Sequence, residues 1–89
     1  MISHDVTIVN KLGLHARAAA KFVTLASQFG CEVQLTLKGQ SINGKSIMGV
    51  MMLAASQGTE ITLSTDGEDE ADAMQALEQL ILERFGESE

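Results

Sequence analysis

Of the side chains in this sequence that can make or break a covalent bond, His15 has the most informative neighbours. It lies in Asn10-Lys11-Leu12-Gly13-Leu14-His15-Ala16-Arg17-Ala18-Ala19-Ala20, where a turn passes into a helix. The first amides of a helix, here Ala16, Arg17 and Ala18, have no carbonyl one turn back to bond. They point toward the residue that starts the helix and, with the helix dipole, form an anion site. Arg17 adds a guanidinium fork that can hold phosphate oxygens at two points. Gly13 permits a tight backbone path into the helix. A neutral imidazole in this setting can attack phosphorus, and the amides and Arg17 can then bind the new phosphoryl oxygens. A phosphoryl group on nitrogen stays reactive enough to leave again. A histidine alone near a helix cap would read as an ordinary surface residue; Gly13, Arg17 and the helix start together point to phosphoryl transfer.

A second candidate is Ser46 in Gly44-Lys45-Ser46-Ile47, at the start of another helix. Its hydroxyl can serve simply as an N-cap, or it can be a phosphorylation site, since phosphate is favourable at a helix start. The overlapping run Gly39-Gln40-Ser41-Ile42-Asn43-Gly44-Lys45-Ser46 fits the nucleotide-binding pattern G-x-x-x-x-G-K-[ST]. A nucleotide-hydrolysing domain also needs a parallel sheet and a second, acidic metal-binding strand. A chain of 89 residues leaves no room for these, and Gln40-Ser41-Ile42 reads as a strand. His4 and His15 are too far apart in sequence to suggest a metal site, and Cys31 reads as structural, so no metal or cofactor is expected.

These residues need a scaffold, and the length implies one domain, residues 1–89. Hydrophobic residues make up 45% and aromatics only 3%, so the chain should fold around an aliphatic core. The formal net charge is −6, with most cations in the first half and acidic residues opening and closing the last segment. An acidic chain with few aromatics is a poor nucleic-acid binder. There is no signal-peptide pattern, no apolar run of spanning length and no cysteine pair. The expectation is a soluble, cytoplasmic monomer without membrane insertion.

The patterning predicts strand, helix, strand, strand, helix, strand, helix. Val6–Val9 reads as the first strand, followed by a turn at 10–13. Ala19, Phe22, Val23, Ala26 and Phe29 form the apolar face of a helix over 16–29, stopped by Gly30. Val33, Leu35 and Leu37 alternate with polar residues, and Gln40–Ile42 returns as a short strand. Ile47, Val50, Met51 and Ala54 mark a helix over 46–55, with Gly58 as its end. Some of Met48, Met51 and Met52 should be core. Ile61 and Leu63 mark the last strand, and Ala73, Leu77, Leu80, Ile81 and Phe85 the last helix, ended by Gly86. The simplest packing is an α+β fold with one antiparallel sheet and all helices on one face.

Gly13-Leu14-His15-Ala16-Arg17 resembles the active-site signature of the histidine-containing phosphocarrier protein (HPr) family of the bacterial phosphoenolpyruvate-dependent phosphotransferase system. The likeness extends over nearly the whole chain and includes Gly44-Lys45-Ser46-Ile47-Met48-Gly49. It implies an HPr-like open-faced β-sandwich, four antiparallel strands with three helices on one face. It also implies that His15 accepts phosphate from phosphorylated enzyme I on Nδ1 and donates it to IIA proteins or domains. Those acceptors would serve sugar uptake or, alternatively, a nitrogen-branch regulatory relay. Such a protein is a phosphocarrier and not an enzyme in its own right. Arg17 matches the motif arginine, whereas Ala18 stands where many members have proline. Ser46 matches a serine that a dedicated HPr kinase/phosphorylase modifies in many members. Partner docking is expected around Ala16, Ala20, Lys45, Ile47, Met48 and Met51.

Overall fold

The computed structural model describes residues 1–89. Its strands are β1 (Ile2–Thr7), β2 (Glu32–Leu37), β3 (Gln40–Asn43) and β4 (Glu60–Asp66). Its helices are α1 (Ala16–Ala26), α2 (Ile47–Leu53) and α3 (Glu70–Leu82). The strands form one antiparallel sheet in the order β1-β4-β2-β3, and the element order βαββαβα is the one expected from the sequence. Alternation decides which face of the sheet is covered. Val33 and Leu35 of β2 and Ile61, Leu63 and Thr65 of β4 are buried, and Leu35 lies opposite Leu63. Against them pack Ala18, Ala19, Phe22 and Ala26 of α1, Val50 and Leu53 of α2, and Ala73, Met74, Leu77 and Ile81 of α3. The core is aliphatic apart from the fully buried rings of Phe22 and Phe85.

Several boundaries differ from the sequence expectation. β1 runs over Ile2–Thr7 rather than Val6–Val9, because its register on β4 extends from Ile2 opposite Thr65 to Thr7 opposite Glu60. Polar pairs on the open face, Ser3 with Ser64 and Asp5 with Thr62, are each closed by a side-chain hydrogen bond of 2.8 Å. α1 ends at Ala26 rather than Phe29. The amides of Gln28 and Phe29 bond three residues back, to Leu25 and Ala26, which tightens the final turn. Gly30 does not end the helix by a left-handed turn; its amide, with that of Cys31, donates to the Asp69 carboxylate at 2.8 and 2.9 Å.

α2 presents a narrower buried edge than expected. Only Val50 and Leu53 reach the core, while Ile47, Met48, Met51 and Met52 are all exposed. The helix has seven residues, so one i, i+3 pair spans the contact. It ends on Ala54, which is left-handed at φ 56°, and not on Gly58.

The most consequential difference lies at the end of α3. The helix stops at Leu82, and Arg84 and Phe85 are both left-handed, at φ 58° and 54°. Each such residue costs about 1–2 kcal/mol. Complete burial of Phe85 offsets about 1.5–3 kcal/mol of that. The Lys21 ammonium adds a hydrogen bond of 2.7 Å to the Phe85 carbonyl. The chain therefore reverses, and residues 86–89 fold back toward the start of α1.

Phe22→Ala should lower the free energy of unfolding by about 3–5 kcal/mol in urea titration. Phe85→Ala should cost less, because the two left-handed residues relax once their anchor is gone. Asp69 supplies a pH test. The Gly30 amide, and after it the Cys31 group, hold its carboxyl below the ordinary carboxylate value. Its stabilisation is therefore complete above that ordinary value and is lost as pH falls through the depressed one. Asp69→Asn should flatten the decline in stability below about pH 4, followed by urea midpoints across the acid range.

Candidate functional site

The turn that enters α1 is fixed by its backbone. The Gly13 amide bonds the Asn10 carbonyl at 3.2 Å, and the Leu14 amide bonds the Ala55 carbonyl at 2.9 Å. Gly13 is left-handed at φ 67°, and a Cβ on it would lie 2.4 Å from the Ala55 carbonyl oxygen. Only glycine allows that approach. Leu14 is buried beside it, so His15 is held as the extended residue immediately before the helix, at φ −73° and ψ 178°. The first helical bond runs from the Ala19 amide to the His15 carbonyl at 2.8 Å. The amides of Ala16, Arg17 and Ala18 precede it, and the His15 side chain makes no capping bond to them. They stand open to an anion.

The folded-back tail supplies a group that sequence reasoning missed. A Glu87 carboxylate oxygen, Oε2, meets His15 Nε2. The other, Oε1, accepts a 3.0 Å hydrogen bond from Asn10 Nδ2. Asn10 Nδ2 also donates to the Gly13 carbonyl at 2.9 Å, so one fully buried amide ties the turn to the tail. Lys11 closes the arrangement: its amide bonds the Glu89 carbonyl at 2.6 Å and its ammonium lies 3.2 Å from the Glu89 carboxylate. The Asn10 hydrogen bond, then the His15 ring and the Arg17 charge, outweigh burial and hold the Glu87 carboxyl below its ordinary value. Glu87 is thus an anion facing the imidazole. With Nε2 taken up by Glu87, Nδ1 is the ring nitrogen left without a partner.

Beside His15 opens a cleft of about 830 Å³, lined by Lys11, Arg17 and Lys21 together with the tail. Its cations suit a phosphoryl group. Nothing near Glu87 in the sequence pointed to this place, because its partner lies 72 positions away. The one hint was Phe85, an apolar residue just before the terminal acidic residues.

The other candidates fall elsewhere. Ser46 is the N-cap of α2, its hydroxyl accepting from the Gly49 amide at 3.1 Å. The Lys45 ammonium donates to the Phe29 carbonyl at 2.7 Å, which directs it to the end of α1. Ala16, Ile47, Met48 and Met51 are exposed and Ala20 is half-buried, on two helices that pack together. Residues 40–43 of the nucleotide-binding pattern are strand β3, paired antiparallel with β2, so no phosphate loop exists there. His4 is exposed and contacts Glu78, far from His15. The thiol of Cys31 is buried and pushed up by that burial and by Asp69. No cluster of His, Cys, Asp or Glu side chains is placed to hold a metal ion. No helix is long and apolar enough to cross a membrane.

Known proteins resemble this chain over nearly its whole length. Residues 2–83 match the family model described as "PTS HPr component phosphorylation site". The chain is 56% identical to phosphocarrier protein HPr of Cupriavidus necator over 89 residues, all of both chains. It is 58% identical to HPr of Neisseria meningitidis, again over the full length of both. The crystal structure of HPr-C-His from Thermoanaerobacter tengcongensis superposes with a TM-score of 0.96 at 45% identity, covering all of both chains. The chain belongs to the HPr family of phosphocarrier proteins of the phosphotransferase system.

Proposed function

We propose that His15 Nδ1 accepts a phosphoryl group from phosphorylated enzyme I and passes it to a IIA protein or domain. The observation that carries this is the pairing of open amides at Ala16, Arg17 and Ala18 with a ring whose Nε2 is already engaged by Glu87. In-line transfer needs a fixed nucleophile and donors for three phosphoryl oxygens. The stapled turn provides the first. The amides and the exposed Arg17 guanidinium provide the second. The protein is modified stoichiometrically and turns over nothing alone, and it acts in the cytoplasm as a monomer.

The sugar branch is the reading adopted, with the nitrogen-branch relay as its alternative; the two differ only in the acceptor. The exposed Ile47, Met48 and Met51, with Ala16, Ala20 and Lys45, form the docking surface. Ser46 lies on the same helix as this surface, so phosphate on it would weaken binding to an acidic enzyme I. Its hydroxyl now caps α2, and phosphorylation would replace that neutral acceptor with a dianion at the same helix start.

With enzyme I and phosphoenolpyruvate supplied, the protein should take up one acid-labile phosphoryl group, read by mass spectrometry. His15→Ala should take up none; labelling equal to the parent would refute the assignment. Arg17→Lys should still label, but about tenfold more slowly, because an ammonium cannot hold two phosphate oxygens in a fixed fork. Ser46→Asp should raise the concentration of carrier needed for half-maximal transfer from enzyme I while leaving the final extent at one group.

A further inference from the structure

Helix α2 gives the core only Val50 and Leu53. Its outer side presents Met48, Met51 and Met52, which are 69%, 39% and 67% exposed. Their i, i+3, i+4 spacing sets the three thioethers on one side of the helix. A thioether in water packs against nothing, yet it has a redox chemistry that leucine lacks. We propose that Met48, Met51 and Met52 form an oxidation site, where peroxide converts thioethers to sulfoxides and weakens the docking of phosphorelay partners until the sulfoxides are reduced. This rests on the docking surface read at α2 and adds its regulation.

The other sulfur atoms of the chain mark α2 out. Cys31 is only 2% exposed, and burial, then Asp69, push its thiol up. Peroxide reacts with the thiolate, so Cys31 does not intercept it. Met74, on α3, is 3% exposed and belongs to the core. Met1 is exposed but precedes β1, away from α2. Three of the five methionines thus stand on one short helix with their sulfurs open to oxidant. The fold is spared, because the contacts of Val50 and Leu53 lie on the other side of that helix. Docking is not spared. A sulfoxide oxygen covered by an apolar partner loses its water and gains no donor in return.

The chemistry balances with hydrogen peroxide as the oxidant. A sulfur lone pair attacks one peroxide oxygen, so that an S–O bond forms and the O–O bond breaks. The departing hydroxide takes up the proton of the transferred oxygen and leaves as water. Sulfur loses two electrons and the peroxide gains them. A dithiol reductant reverses the change: the sulfoxide oxygen leaves as water and the two thiols become a disulfide. Methionine sulfoxide reductases catalyse this return for each sulfoxide epimer.

The test uses the full chain in two measurements. The first is graded treatment with hydrogen peroxide, read by peptide mass spectrometry. Met48 and Met52 should oxidise about as fast as Met1, Met51 more slowly, and Met74 only after unfolding in urea. The second is phosphoryl transfer from phosphorylated enzyme I over a range of carrier concentrations. The oxidised protein should need about tenfold more carrier for the half-maximal rate, the loss of roughly one apolar contact. It should still take up one group at His15, and reductases with dithiol should restore the parental concentration. A Met48→Leu, Met51→Leu, Met52→Leu variant, judged against its own untreated rate, should not respond to peroxide. Ile47→Glu places a charge on the same surface without an oxidisable sulfur and should also raise the half-maximal concentration. If Ile47→Glu raises it and oxidation of the parent does not, the inference fails while the docking surface stands. If neither raises it, the docking reading fails and the inference with it. Oxidation of folded Met74 as fast as Met48, or an equal peroxide response in the leucine variant, would also overturn the inference.

Discussion

A helix start whose amides are left open has to be held in place by something other than those amides. This constraint governs the molecule. The usual solution, an N-cap side chain folded onto the second or third amide, would fill the site it stabilises. α1 has no such cap. Its entrance is instead fastened from outside: Leu14 bonds the Ala55 carbonyl, and Gly13 lets the two backbones touch. α2 has no comparable duty, and there Ser46 closes the cap in the ordinary way.

The second fastening is the tail. Phe85 is pulled into the core and the Lys21 ammonium holds its carbonyl, so the chain past α3 runs back along α1. Burial of one aromatic ring is comparable in size to the strain of the two left-handed residues. The polar contacts of Asn10, Lys11 and Lys21 therefore tip the balance. Fold and site are coupled here, since the same residues complete the core and bring an anion to the imidazole.

Much of this was legible in the sequence, for identifiable reasons. Period-two alternation in β2 and β4 and the apolar face of α1 reflect burial on one side, a local signal. The Gly-x-His-x-Arg spacing placed an imidazole, a glycine turn and a cation at one helix start, also within a few residues. What stayed hidden depends on distant partners. β1 begins early because of its register on β4, and its outward polar residues masked it. The methionines of α2 face outward because a two-turn helix offers the sheet only one edge. Glu87 reads as part of an acidic terminus until Phe85 turns the chain and carries it to a residue 72 positions away.

The central claim is that His15 carries the phosphoryl group on Nδ1, with Nε2 kept for Glu87. The most direct measurement is phosphorylation by enzyme I and phosphoenolpyruvate of protein ¹⁵N-labelled at histidine, followed by ³¹P–¹⁵N coupling within the His15 ring. The account predicts a single phosphorus coupled to Nδ1, with a proton retained on Nε2. Phosphorus on Nε2, or on a residue other than His15, would contradict it.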